Sequence, residues 1–252
     1  MSLLSEIIAD VRRLIRFRPE EAAADLRAWR WRTAVGWMGV ITVGTGLYGA
    51  SVGLLRSPLQ GFYVGLKMPM LIFFTLALNG ALNGVLAALL GSGLGLRQTA
   101  LAIMQSFALF ALVVGSLAAA ACFFTLVLPG ATEPGGDAHY RLLLLAHTGI
   151  IAFAGVAANL RLLRVLEHFS SVRTARTVLL AWLVGNLFVG AQLSYNLRPF
   201  FGTPSLPVQF LRPNPFEGNF YVALWRIARG LGRSTAAPAA GRTPSPPHQT
   251  PQ

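Results

Sequence analysis

Gly49-Ala50-Ser51-Val52-Gly53 matches G-x-S-x-G, the spacing that lifts a serine hydroxyl onto a sharp strand-to-helix turn in hydrolases with a nucleophile elbow. Such a serine needs a base within hydrogen-bond reach, and the histidine in comparably apolar sequence is His147. The surroundings argue against that chemistry. The pentapeptide lies inside a glycine-rich apolar run, Ala34 to Leu55, with no strand before it, so a small packing serine on a helix explains it better. His147 reads first as a neutral histidine bonded to a neighbouring helix, although an ionisable side chain at membrane depth is also a functional candidate. Ser51 lies five residues before Arg56, and His147 six after Arg141, so the two share a depth. His147, Gln192, Tyr195 and Asn196 are therefore expected to gather as a polar cluster in one leaflet, with Ser51 facing a helix.

The remaining amides in apolar runs are Asn79, Asn83, Gln105, Asn159 and Asn186. Interhelical hydrogen bonds of about 0.6 kcal/mol each account for most groups of this kind. No aspartate or glutamate lies in the core of any run, which weakens a proton-coupled transporter. There is no HExxH, no P-loop and no Cys/His/acid cluster spaced for a metal, so no cofactor and no metal is expected. Cys122 has no second cysteine to pair with and reads as a small buried residue.

The elements that would position these groups are membrane helices. The chain has 252 residues, 54% hydrophobic and 12% charged, with a mean hydropathy of +0.57. Five apolar runs are each long enough to cross a bilayer, which takes about 20 residues: Ala34 to Leu55, Lys67 to Gly91, about Ala100 to Leu128, about Arg141 to Leu163, and Thr177 to Phe200. The second contains Asn79-Gly80 and Asn83-Gly84, and the first carries Gly46, Gly49 and Gly53. Small faces let backbones approach where lipid competes with apolar contact, so these five glycines are expected to pack the first two spans together.

Residues 1–33 form an N-terminal interfacial region, with Leu3, Leu4, Ile7, Ile8, Val11, Leu14 and Ile15 at helical spacing and a second short helix starting at Pro19. Ser57 and Pro58 look like a cap and first turn, and predict a short interfacial helix before the second span. Residues 129–139 read as a loop carrying Glu133 and Asp137. Residues 34–200 are the five-span domain, 201–233 a proline-rich loop followed by an interfacial helix, and 234–252 a disordered tail. The fold expected is an all-α membrane protein: a bundle of five transmembrane helices with interfacial amphipathic helices.

The formal charge is +12, and 20 of the 21 cationic residues are arginine. Because they flank the apolar runs, they suit lipid phosphates and not nucleic acid. With the N-terminus inside, twelve cations fall on the inner side and nine on the outer. A cytoplasmic N-terminus is expected.

LKMPMLIFFTLALN, LLGSGLGLRQTALAIMQSFA and GAQLSYNLRPFFGTPSLPVQFLRPNPFEGNFY, set in a five-span layout, resemble the Yip-domain family of small polytopic membrane proteins, in an uncharacterised bacterial branch. The resemblance covers roughly residues 34–225, and its motifs are structural. It implies a non-enzymatic scaffold in a bacterial inner membrane that binds a membrane or peripheral protein partner as well as the lipid bilayer. A small-solute or lipid conduit is the alternative, because glycine faces with mid-membrane amides can also line a path. An intramembrane serine hydrolase is the remote third.

Overall fold

The computed structural model describes residues 3–16, 18–28, 31–127, 136–200 and 207–234. Glu133 and residues 235–252 of the tail expected to be disordered lie outside what is described, whereas Asp137 falls in a helix that starts at Gly136 and so shortens the loop expected over 129–139. Every regular element among the described residues is an α-helix: α1 (Leu3–Arg16), α2 (Pro19–Ala28), α3 (Trp31–Gly53), α4 (Pro58–Leu89), α5 (Leu96–Val127), α6 (Gly136–Leu166), α7 (Val172–Asn196) and α8 (Phe220–Ser234). Five of them, α3 to α7, are long and apolar enough to span a membrane. The chain is an integral membrane protein. Its first compact unit ends at Glu217, and α8 belongs to a second that begins at Gly218.

Each helix boundary has a local cause. Ser57 caps α4 by accepting from the Gln60 N–H at 3.1 Å, with Pro58 in the first turn. Gly91 and Gly93 take φ of +69° and +72°, a region open mainly to glycine, and turn the chain out of α4. Gln98 then reaches back to accept from the Gly95 N–H at 3.0 Å, half of a capping box that starts α5. Ser171 caps α7 through the Thr174 N–H. The α7 helix stops at Asn196 because Arg198 precedes a proline and is biased away from helical backbone.

Two expected boundaries are corrected. The segment from Pro58 is not a separate interfacial helix, since α4 runs unbroken through Pro69 for 32 residues. Pro69 removes one backbone donor, which a membrane helix tolerates when neighbouring groups re-satisfy the freed carbonyl. That carbonyl belongs to Gly65, and a methyl built on Gly46 of α3 would lie 3.3 Å from it, so the two backbones touch there. The fifth span is likewise shifted, beginning five residues before Thr177 and ending four before Phe200.

Because lipid faces are as apolar as a core, small and polar residues mark the inside of the bundle. Leu47, Leu78, Leu82, Val184, Leu187 and Phe188 point outward, whereas Thr45, Gln60, Lys67, Asn79, Asn83 and His147 are buried. The α3 helix is central and packs on α4 and α5; α4 also meets α5 and α7, while α6 meets α5 and α7. The α1 and α2 helices lie against α3, α5 and α6. Leu14, Ala22, Ala23 and Leu26 are buried there, Arg13 pairs with Asp25 at 3.6 Å, and Arg161 donates to the Leu14 carbonyl at 2.8 Å. That last bond satisfies a carbonyl that the end of α1 leaves open.

Candidate functional site

The five packing glycines divide. Gly46, Gly49 and Gly53 do face α4, but opposite its first half: a methyl on Gly53 would lie 2.5 Å from the Gln60 carbonyl oxygen, and one on Gly49 would lie 2.6 Å from that of Val64. Gly61 and Gly65 are the small residues that answer them. Gly80 has nothing within 4 Å of an added methyl, and Gly84 is approached by Leu96 at the start of α5. The reason is register. The α3 and α4 helices form an antiparallel hairpin with a short turn, so residues equally far from the turn meet, and Gly80 and Gly84 lie too far down α4 to reach Gly46. A further contact pairs Gly44 with Ala111 and Gly115 of α5, where a methyl on Gly115 would lie 2.8 Å from the Gly44 Cα.

The polar residues expected to gather near one end of the bundle make the following contacts. Tyr48 and His147 are both buried, with the Tyr48 hydroxyl 2.9 Å from His147 Nδ1 and the rings 5.6 Å apart, edge to face. The Ser51 hydroxyl donates to the Tyr48 carbonyl at 2.7 Å within its own helix. At the end of α7, Gln192 donates to Asn196 at 3.0 Å. The Tyr195 ring lies against two guanidinium groups, Arg198 at 3.7 Å and Arg212 at 4.8 Å. His147 is thus organised by α3, and the α7 group by the chain that follows it.

That following chain is the feature least visible in the sequence. After a cis Arg198–Pro199 bond it returns to the bundle, and Phe200 packs against the cluster that contains Tyr48, Val52, Val64 and Ala154. Non-helical backbone at membrane depth must have its carbonyls satisfied by protein, and α4 supplies the donors. Lys67 Nζ donates to the Pro199 carbonyl at 2.9 Å. Gln60 Nε2 donates to the same carbonyl at 3.0 Å and to that of Phe200 at 3.1 Å. Lys67 is the chain's single lysine, it is fully buried, and its ammonium sits 5.8 Å from the Phe200 ring and 5.0 Å from that of Phe210. Tyr63 packs edge-on to Phe210 at 5.4 Å. Farther along, Arg212 donates to the carbonyls of Pro215 and Glu217 and folds the segment on itself. The arrangement holds residues 197–200 and 207–217 against α4.

A second polar contact lies halfway along α7. Asn83 Nδ2 donates to Asn186 Oδ1 at 3.2 Å, Asn79 Nδ2 to the Gly185 carbonyl at 3.4 Å, and the Trp182 indole to the Asn83 carbonyl at 2.9 Å. The Asn79 and Asn83 amides, expected to bond across helices, do so. The sequence reading missed Gln60, Lys67, Tyr48 and Trp182. The one signal for Lys67 was its solitary type, a lysine among arginines. No protein-family model, no curated protein and no solved structure matches this chain.

Proposed function

We propose that this integral membrane protein is a non-enzymatic scaffold of Yip-like layout that holds residues 197–200 and 207–217 as a docking surface for a hydrophobic protein partner. The observation that carries the reading is the clamp of Gln60 and Lys67 on the carbonyls of Pro199 and Phe200. An ionisable group buried in a membrane protein is a functional marker by default, and here it acts on the shape of the protein's own main chain. The held segment ends in Phe216, which is 82% exposed, with the backbone beside it fixed by Arg212. The hydrogen bond of Ser51 within its own helix also favours a non-enzymatic role.

The test is photo-crosslinking from position 216 in native membranes. A discrete protein adduct is expected, and it should be lost in the double variant Gln60→Leu/Lys67→Met, which frees the segment. Lipid adducts alone, combined with solute or lipid flux in proteoliposomes, would replace this reading with the conduit. The conduit is kept as a second reading because the side-chain Oδ1 atoms of Asn79 and Asn83 are buried without a donor among the described residues.

A further inference from the structure

We propose that one water-sized ligand, presenting positive charge to two oxygens at once, binds between Asn79, Asn83 and Gly185 in the middle of the α4–α7 interface. Asn79 and Asn83 are one turn apart on α4 and both are 0% exposed. Their Nδ2 groups are taken up by the Gly185 carbonyl and by Asn186 Oδ1. Their Oδ1 atoms receive no donor from the described residues. Both oxygens border the place that a side chain on Gly185 would take, since a methyl built there would lie 3.6 Å from Asn83 Oδ1 and 3.8 Å from Asn79 Oδ1. Two like partial charges beside one point in a low-dielectric interior repel, and each lacks the hydrogen bond that a buried acceptor requires.

Rotating a single amide does not relieve the pair. Turning Asn79 aims its oxygen at the Gly185 carbonyl, and turning Asn83 alone aims its oxygen at that of Asn186. A ligand that reaches both oxygens resolves the conflict, and one seated about 1 Å nearer to them than the methyl would stand at hydrogen-bond distance from each. A water donating one hydrogen to each oxygen has this chemistry, and so does a monovalent cation, whereas the neutral donor set disfavours a divalent ion. Turning Asn83 and Asn186 together is the ligand-free alternative. The site goes beyond the scaffold reading and does not depend on it.

The experiment compares Gly185→Ala with Gly190→Ala in the purified full chain. Both methyls fit by size, the second lying 3.9 Å from Thr75 Oγ1, whose hydroxyl already donates to the Leu71 carbonyl at 2.8 Å. If that place holds a ligand, Gly185→Ala expels it and leaves two unsatisfied oxygens, so its Tm should fall by about 3 °C or more while that of Gly190→Ala does not. Repeating the parent and Gly185→Ala in sodium, potassium and N-methylglucamine chloride separates the sources. A rise in the parent's Tm with sodium or potassium, absent in Gly185→Ala, identifies a metal cation, and no such rise identifies water. If Gly185→Ala does not fold, a high-resolution map of the parent replaces it, with a spherical peak expected at about 2.7 to 3.2 Å from both oxygens. A Gly185→Ala protein as stable as Gly190→Ala, or a map without that peak, would overturn the proposal.

Discussion

Lys67 and Gln60 hold the same carbonyl but are not equal partners in holding it. Gln60 Nε2 reaches both Pro199 and Phe200, so Gln60→Leu orphans the Phe200 carbonyl, while Pro199 keeps its bond to Lys67. Leaving one buried acceptor unmatched costs about 1–3 kcal/mol. Lys67→Met removes a desolvated charge, leaves Pro199 with its Gln60 bond and sets a thioether between the rings of Phe200 and Phe210, where sulfur packs well. Thermal unfolding in detergent should therefore rank Gln60→Leu as the more damaging, with Lys67→Met close to the parent. The reverse ranking would mean that the ammonium is what anchors the segment. Ser51→Ala removes only a bond within one helix turn and should change stability by no more than about 0.5 kcal/mol; labelling of the parent at Ser51 by a serine-reactive probe would contradict its structural role. At this scale the sequence was legible where chemistry is local. Ser57 before Pro58 announced its cap, and the Asn79 and Asn83 amides announced an interhelical contact. Tyr48 and His147 stand 99 residues apart, and no periodicity in either helix says that α3 and α6 approach one another. Lys67 was misread as the edge of a span because hydropathy along the chain cannot see a carbonyl supplied from 132 residues away.

Helices in this bundle meet through absent side chains, and the same residue type is critical or idle according to what faces it. A methyl on Gly53 would meet backbone atoms of Gln60 and Gly61 at 2.5 to 2.7 Å, and one on Gly44 would overlap the Ala111 carbonyl. Backbone cannot yield as a flexible side-chain end can, so Gly53→Ala and Gly44→Ala must push α3 from α4 and from α5, respectively. Each should cost about 1–3 kcal/mol, in line with overpacking elsewhere. Gly80→Ala meets nothing and should gain about 0.5–1 kcal/mol from helix propensity alone. Melting temperatures of the three variants in one detergent would check both signs, and a destabilised Gly80→Ala would mean that an unrecognised helix or second chain covers that face. The sequence reading found the glycine face of α3 but assigned it the wrong half of α4. The error followed from starting the second span at Lys67: once α4 begins at Pro58, hairpin geometry alone sets Gly46, Gly49 and Gly53 against Gly61 and Gly65. Glycine frequency says that helices approach closely, and only the turn position says where.

The number of spans decides where the clamped segment can meet a partner. Five membrane helices are present, and an odd number puts the start of α3 and the end of α7 on opposite sides of the membrane. The clamp at Pro199 and the α3–α4 turn are therefore on one side, and the α1–α2 layer is on the other. That span count was legible because each run exceeds what a bilayer requires, whereas the order of helices around the bundle depends on contacts that hydropathy does not encode. Arginine placement then selects the orientation. Arg12, Arg13, Arg16, Arg18, Arg27 and Arg32 precede or begin α3, and Arg161, Arg164, Arg173 and Arg176 flank the α6–α7 turn on the same side. The opposite side has Arg56 and Arg141 near its span ends, together with Arg198, and its remaining cations lie farther along the chain, where their influence on orientation is weaker. The α1–α2 layer is thus expected in the cytoplasm and the clamped segment on the far side, available to a partner there and not to a cytoplasmic one. Reporter fusions at the two ends of the chain should report opposite compartments, with the N-terminal one cytoplasmic. Opposite compartments with the N-terminus outside would move the expected partner into the cytoplasm, and both ends in one compartment would remove a span from the count. Cysteine labelling at Phe216 with a membrane-impermeant maleimide gives the same answer without a fusion: modification in intact cells is expected, and protection there with labelling only after lysis would reverse the orientation.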